Sequence, residues 1–193
     1  FVQNLREELD APGEWYLDKE TWTLYFIPPT GVDPGTMTVC APVVRTIVQL
    51  RDKAAHITLR GLTFECSEGT AVSLDETGDC LVAGCTIRNV GDYNGSGVTV
   101  NGGRGNGVVG CDIHDVGRDA VGLNGGDLET LEPAGNYADN NYIHHTGVYY
   151  KQGVGVSVSG VGNRATHNLI HDCPRFGIVW GGNDHTLSLN EIR

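Results

Sequence analysis

A short segment that recurs every few tens of residues is the feature that most constrains this chain. Each copy carries one bulky apolar residue, and these anchor positions are Phe64, Ile87, Ile113, Ile143, Ile170 and Ile192. Successive anchors are separated by 23, 26, 30, 27 and 22 residues. Short strand-like segments with a period in the twenties predict a solenoid, in which each repeat packs on its neighbours.

Each period contains a second extended segment in which apolar or small residues alternate with polar ones, as is typical of a strand. Glycines between the segments permit sharp bends. Leucine-rich repeats have a similar period, but their LxxLxLxxN pattern is absent. We therefore predict an all-β parallel β-helix of about five to six coils, spaced about 4.8 Å apart. The second segments are residues 69–74, 97–100, 120–123, 153–158 and 177–180.

Stacked coils bring equivalent residues into columns. The anchors should fill the core, so the side chains that follow them should point outward. Asn side chains at a bend can hydrogen-bond from one coil to the next. The outward column is Arg88, His114, His144 and His171, and the column at the bend is Cys85, Cys111, Asn141, Asn168 and Asn190.

The first part of the chain does not fit the repeat. Residues 13–18 and 22–29 read as two strands joined by a tight turn. We predict that residues 1–52 form a hairpin segment that caps the solenoid, and that residues 53–193 form the coils. The chain stops inside a strand segment, so we expect a partner or further coils to cover that end of a truncated stack.

Charge and hydropathy exclude several classes. With 13 basic and 24 acidic residues the net charge is −11, which argues against nucleic acid or an anionic membrane as partner. No apolar run approaches the roughly 18–20 residues of a membrane span, and the first residues are no signal peptide. Six cysteines are compatible with disulfides, but their spacing matches no zinc site, and we expect buried thiols.

Glycine-rich turns follow the second segments and present polar tips, including Asp127 and Asp184. Two coils of separation puts their backbones about 9–10 Å apart. Carboxyl groups about 6.5–9.5 Å apart suit an inverting glycoside hydrolase. The alternative is that both residues only stabilise their turns.

Further candidates for a binding site lie in other columns. A pair of residues that contains His follows three of the anchors, at 114–115, 144–145 and 171–172. These histidines could line a groove, act as acids or bases, bind a metal, or form a stacked ladder on the surface. Coil spacing disfavours tetrahedral closure, so no metal site is predicted. Several cationic and aromatic side chains could contact a sugar; alternatively, the cations neutralise nearby carboxylates and the aromatic rings pack in the fold. They are Arg118, Lys151, Arg175, Tyr149, Tyr150, Phe176 and Trp180.

Several runs resemble right-handed parallel β-helix proteins grouped with glycoside hydrolase family 141 and related polysaccharide-degrading proteins of bacteria. These runs are 13–17, 24–29, 57–64, 140–147, 150–156, 160–164, 167–175 and 181–185. In similar proteins the coils continue into a segment with an Asp-Ala-Gly pattern that carries further acidic candidates.

The resemblance implies hydrolysis of complex polysaccharide by two carboxyl groups, in an extracellular or periplasmic location and without a cofactor. On this reading Asp184 and Asp127 are acid and base. The sugar-binding residues would be His171, Asp172, Arg175, Trp180, His185, His144, Lys151 and Asn163. The alternatives are a polysaccharide lyase of the same fold, which would use calcium or a Lys/Arg base, and a non-catalytic carbohydrate-binding or structural solenoid.

Overall fold

The computed structural model describes residues 4–193, whose contacts divide the chain into a unit that ends at Cys40 and a unit from Ala41 to Arg193. The first unit contains a 3₁₀ turn (Arg6–Glu8) and the strands β1 (Trp15–Asp18) and β2 (Thr23–Phe26). These strands pair antiparallel, which confirms the predicted hairpin. Asp18 Oδ1 accepts the Glu20 N–H at 2.9 Å and so closes the turn. That this hairpin segment caps the solenoid stays a prediction.

The second unit contains three strands in each of six successive coils. Residues 4–193 contain no helix long and apolar enough to cross a bilayer. In chain order the strands are β3 Val48–Leu50, β4 Thr58–Arg60, β5 Thr63–Ser67; β6 Val72–Asp75, β7 Leu81–Ala83, β8 Thr86–Val90; β9 Val98–Asn101, β10 Gly107–Val109, β11 Asp112–Val116; β12 Val121–Gly125, β13 Tyr137–Asp139, β14 Tyr142–His144; β15 Val154–Gly160, β16 Arg164–Thr166, β17 Leu169–His171; β18 Phe176–Trp180, β19 Thr186–Ser188, β20 Glu191–Ile192.

Stacking of equivalent strands produces three parallel sheets of six strands each. The first sheet is β3-β6-β9-β12-β15-β18, the second is β4-β7-β10-β13-β16-β19, and the third is β5-β8-β11-β14-β17-β20. The predicted parallel β-helix is confirmed. The anchors from Phe64 to Ile192 lie side by side along the third sheet, and the second segments form most of the first.

The second sheet is the part that the repeat analysis did not identify. Its strands are three residues long, such as β10 and β16, and each has a single inward side chain. Alternation cannot be recognised over three residues, especially where the inward residue is only Ala138 or Ala165.

The stack also begins earlier than the boundary after residue 52 that the repeat suggests. Strand β3 (Val48–Leu50) pairs in parallel with β6, so Val48 lies beside Val72 and Leu50 beside Leu74. Contacts, in contrast, divide the chain after Cys40.

Inward columns of aliphatic side chains fill the coils. Ile87, Ile113, Ile143 and Ile170 each have 0% of their surface exposed. Full burial of one such side chain stabilises a fold by about 1.5–3 kcal/mol. The residue that follows each of them lies on the opposite face of its strand, as predicted.

The predicted asparagine ladder is present at the bend before the third sheet. Asn141 Oδ1 accepts the Cys111 N–H at 2.9 Å, Asn168 Oδ1 accepts the Asn141 N–H at 3.0 Å, and Asn190 Oδ1 accepts the Asn168 N–H at 3.0 Å. Each amide therefore satisfies a buried backbone donor of the preceding coil.

Glycine is required where the first sheet turns. A Cβ on Gly160, whose φ is +89°, would lie 2.0 Å from the Gly125 oxygen of the neighbouring coil. Both the backbone conformation and the close approach of the coils exclude a side chain here.

We expect the cysteines to differ sharply in reactivity. Burial raises the pKa of the Cys111 thiol to about 11, and Cys80 and Cys85 are also buried, whereas Cys40 is exposed. Because the thiolate is the reactive species, alkylation of the native protein should label Cys40 well before Cys111. Mass spectrometry of the alkylated peptides measures this order. Equal labelling rates for these two thiols would contradict the burial of Cys111.

Candidate functional site

Two outer surfaces of the stack concentrate polar side chains. We call one the histidine face; it lies on the third sheet and consists of Asp112, His114, Asp115, Tyr142, His144, His145, His171 and Asp172. We call the other the polar groove; it lies on the first sheet across β9, β12 and β15.

Three imidazoles form the centre of the histidine face. His114, His144 and His171 are in register on β11, β14 and β17. The rings of His114 and His144 stack with centroids 4.7 Å apart and planes at 4°, and those of His144 and His171 stack at 5.2 Å and 6°. The coil repeat therefore sets the spacing of these rings.

A second row follows at the turn that ends the third-sheet strands. Asp115, His145 and Asp172 have φ values of 51°, 50° and 51°, a left-handed conformation that Asp and His tolerate better than most residues. This conformation turns each side chain back toward the preceding imidazole. The Nδ1–Oδ2 distance is 2.7 Å in both His114–Asp115 and His171–Asp172.

The surroundings shift two pKa values on this face. Burial, followed by the neighbouring His114, lowers the pKa of His144, so His144 is neutral at neutral pH. The hydrogen bond from His171 lowers the pKa of Asp172, which therefore stays ionised.

The remaining contacts involve Tyr142 and Asp112. The Tyr142 hydroxyl lies 2.9 Å from His171 Nε2. Asp112 Oδ1 lies 3.4 Å from His144 Nε2, is shielded from solvent and makes no hydrogen bond within residues 4–193.

The polar groove is a cavity of about 320 Å³ on the outer face of the first sheet. Gly122, which has no side chain, lies between Thr99 and Ser157 in one outward row and so leaves space at the floor of the groove. Asn101, Asn124 and Ser159 form the next outward row. Hydroxyl and amide side chains in parallel rows suit the hydroxyl groups of a sugar.

One carboxyl group, Asp119, lines the groove. Its Oδ1 accepts the Val154 N–H at 3.0 Å, and its Oδ2 lies 3.5 Å from Arg118 Nε. Burial raises the pKa of Asp119 despite these two partners. A carboxyl group with a raised pKa in a cleft is a candidate proton donor.

The turn acids Asp127 and Asp184 lie in different local surroundings. Residues 127–133 leave the coil as a loop, and Asp127 accepts the N–H groups of Glu129 and Thr130 at 2.8 and 3.0 Å. The second of these bonds, followed by the first, lowers the pKa of Asp127. Asp184 is exposed, with φ +57°. Within residues 4–193 no hydrogen bond or ion pair joins Asp127 to Asp184.

Two other candidates lie inside the stack. Asn163 has 0% of its surface exposed and belongs to a second ladder with Asn106 and Asn136. His185 continues this ladder, since its Nδ1 accepts the Asn163 N–H at 3.1 Å and its Nε2 donates to the Gly181 oxygen at 3.1 Å. The side chain of Asn163 is therefore occupied in holding the fold and does not reach a ligand.

The remaining candidates are dispersed. Lys151 donates to the Val148 oxygen at 2.8 Å, and the Arg175 guanidinium lies over the Phe176 ring at 4.8 Å. Trp180 pairs with Val158 in a core-facing row, and it is 65% exposed because it lies on the last coil of the stack. The structure thus brings together His144, His171 and Asp172 of the predicted set.

Sequence reasoning missed the polar groove. A signal was present, because the outward positions of β9, β12 and β15 are all small or polar, whereas the inward ones are Val or Leu. The depth of the groove depends on Gly122, which reads in the sequence as one of many turn glycines.

Comparisons with known proteins support the fold. No curated protein matches the chain significantly. A solved structure named "Glycoside hydrolase" superposes with a TM-score of 0.73 at 19% identity, over 93% of this chain and 41% of that chain. The match thus spans about two fifths of that protein's length. Residues 46–192 match the family described as "Right handed beta helix region", and the chain therefore belongs to the right-handed parallel β-helix proteins.

Proposed function

We propose that this protein is carbohydrate-active, that the polar groove binds a glycan, and that its activity is hydrolysis of a glycosidic bond. The observation that carries the proposal is the groove itself. It combines a cavity of sugar size, parallel rows of hydroxyl and amide groups, and one carboxyl group with a raised pKa.

Proton donation to the leaving oxygen is the step that the groove is equipped to perform. Asp119 keeps its proton to a higher pH than an exposed Asp, because burial disfavours its charged form. Asp75, which accepts a hydrogen bond from Asn101 at 2.8 Å, is too far from Asp119 to act as the second catalytic carboxyl group. The backbones of the two residues are five strand positions and two coils apart, or about 19 Å.

The turn acids offer a competing assignment. Asp127, whose pKa is lowered by backbone N–H groups, suits an ionised base, with Asp184 as the acid. Both residues lie at the opposite end of the first-sheet strands from Asp119. Single substitutions of the three carboxyl groups therefore distinguish the two assignments.

A specific contact favours β-elimination as a second candidate. The Tyr142 hydroxyl bonded to His171 Nε2, with Asp172 on the other nitrogen, forms a relay that suits abstraction of a proton next to a carboxylate. Unsaturated products would identify such a lyase.

Filling the groove tests the proposal. A Cβ on Gly122 would meet Ser157 Oγ at 3.4 Å and nothing closer, so Gly122→Leu should fold normally while its side chain occupies the cavity. We expect at least about tenfold weaker binding in a panel of plant and host polysaccharides, measured by calorimetry. Gln49→Leu, in the same outward row but on the first coil, is the matched control.

Catalysis is measured on the same polysaccharides as the release of reducing ends and of unsaturated products. Asp119→Asn keeps the shape of the side chain and should lower turnover about 100-fold or more while leaving binding intact. If Asp119→Asn keeps full activity and Asp184→Asn loses it, Asp184 and not Asp119 is the acid. Glycan affinity unchanged by Gly122→Leu would exclude the groove.

A further inference from the structure

The histidine face contains a compact set of metal-ligand types that the proposed function does not use. Asp112 and His114 point outward from β11, and His144 lies beside His114 on β14. One ligand atom from each of these residues lies within 4.8 Å of the other two. We propose that Asp112, His114 and His144 bind one divalent transition-metal ion of the zinc type.

The hydrogen bonding of His114 leaves its outer nitrogen available. Nδ1 lies 2.7 Å from Asp115 Oδ2, and a carboxylate can only accept, so in the neutral ring the proton is on Nδ1 and the lone pair on Nε2. A carboxylate bonded to the far nitrogen of an imidazole fixes its tautomer and makes it a stronger ligand. Asp115 therefore supplies the outer support that a metal-binding histidine normally has.

His144 has a histidine of the turn row, His145, as its partner instead of a carboxylate. Its Nδ1 lies 2.7 Å from His145 Nδ1, and donation by His144 leaves its Nε2 unprotonated. Two stacked imidazoles thus present free nitrogens on the same side of the sheet.

Asp112 is an independent observation that points to a cation. Its Oδ1 is shielded from solvent yet makes no hydrogen bond to residues 4–193, and it lies 3.4 Å from His144 Nε2. A shielded carboxylate oxygen without a partner is costly in free energy. With Nε2 unprotonated, two electron-rich atoms face each other, and a cation between them would relieve this repulsion.

The set must contract to close around an ion. Bonds of about 2.1 Å at tetrahedral angles place ligand atoms about 3.4 Å apart. Separations of up to 4.8 Å therefore have to shrink by up to about 1.4 Å, through rotation of the half-exposed Asp112 side chain and tilting of the His114 and His144 rings. Two nitrogens and one oxygen suit zinc-type ions better than Ca²⁺ or Mg²⁺, and three protein ligands leave a position open to water.

His171 belongs to the stack and not to the ligand set. Its Nε2 is already in contact with the Tyr142 hydroxyl at 2.9 Å. His167, at the bend that follows β16, lies 2.9 Å from Asp139, which is not part of the histidine face. These two residues provide controls of the same side-chain type.

The test is a calorimetric titration of the chelator-treated full chain with ZnCl₂ near neutral pH. We expect one Zn²⁺ per chain, no comparable binding of Ca²⁺ or Mg²⁺, and a higher Tm in the presence of Zn²⁺. Asp112→Asn and His114→Gln should each weaken binding at least about tenfold, and Asp115→Asn by about 10–100-fold. His171→Gln and His167→Gln should bind like the unmodified protein.

The result is independent of the polar groove, because the substituted residues lie on the third sheet or at the bend before it and none of them lines the groove. Circular dichroism of each variant confirms that it is folded. The proposal is overturned if the unmodified chain binds no Zn²⁺, or if the folded Asp112→Asn and His114→Gln variants bind it unchanged. Loss of binding in His167→Gln alone would equally overturn it, since the ion would then lie elsewhere.

Discussion

Ile143→Asp is expected to abolish the folded stack. Ile143 is fully buried between Ile113 of the preceding coil and Ile170 of the next. The substitution removes a large apolar side chain and introduces a carboxyl group with no partner in an aliphatic column. We expect a loss of more than about 4 kcal/mol in the free energy of unfolding, a large share of the stability of a typical domain. Circular dichroism during urea denaturation measures the effect.

Tyr142→Asp is the matched control, because the same charge is introduced one residue earlier on the outward face. Tyr142 is 40% exposed, and its hydroxyl bond to His171 is at the surface. We expect a loss below about 1 kcal/mol. Ile143→Val should lie between them, at about 0.5–1.5 kcal/mol. A folded Ile143→Asp with an unchanged transition would show that the register of the third sheet is incorrect.

The fold was predictable because a solenoid repeats its packing along the sequence. A column such as Ile87, Ile113, Ile143 and Ile170 is visible as a period, since each coil must place one bulky side chain at the same point. The bend column was predictable for the same reason, because its amides bind from coil to coil. Strands of three residues, with inward Ala138 or Ala165, leave no such trace.

The candidate site was predictable only where it follows the columns. His144, His171 and Asp172 come together because they are one coil apart or adjacent, and the sequence identified them. The local structure at Asp127 was not predictable, because residues 127–133 form a loop in which Asp127 pairs antiparallel with Glu132. The small and polar outward residues of β9, β12 and β15 were a signal for the polar groove, but no local pattern encodes the hydrogen bond that joins Asp119 to Val154, 35 positions apart.

Asn168→Ala is expected to have the second-largest effect on stability. Asn168 is 1% exposed, and its Oδ1 accepts both the backbone and side-chain N–H groups of Asn141, at 3.0 and 2.9 Å. Its Nδ2 donates to the Ala138 oxygen at 3.0 Å and to Asn190 Oδ1 at 2.9 Å. Alanine removes the partner of two Asn141 donors and of the Ala138 oxygen in the preceding coil, each at about 1–3 kcal/mol when left unpaired. We therefore expect a loss of about 3 kcal/mol or more, measured by urea denaturation.

Cys85 and Cys111 occupy the same ladder position in other coils, so they indicate how much stability Asn168→Cys should lose. Cys85 Sγ lies 3.5 Å from the Leu59 oxygen and Cys111 Sγ 3.6 Å from the Val82 oxygen, so a thiol donates to the carbonyl that Nδ2 binds in other coils. A thiol is a weak acceptor, however, and cannot replace Oδ1. Asn168→Cys should therefore lose less stability than Asn168→Ala, but more than Asn101→Ala on the exposed face. Equal losses in Asn168→Ala and Asn101→Ala would mean that the ladder contributes nothing specific, and that aliphatic packing alone holds the coils in register.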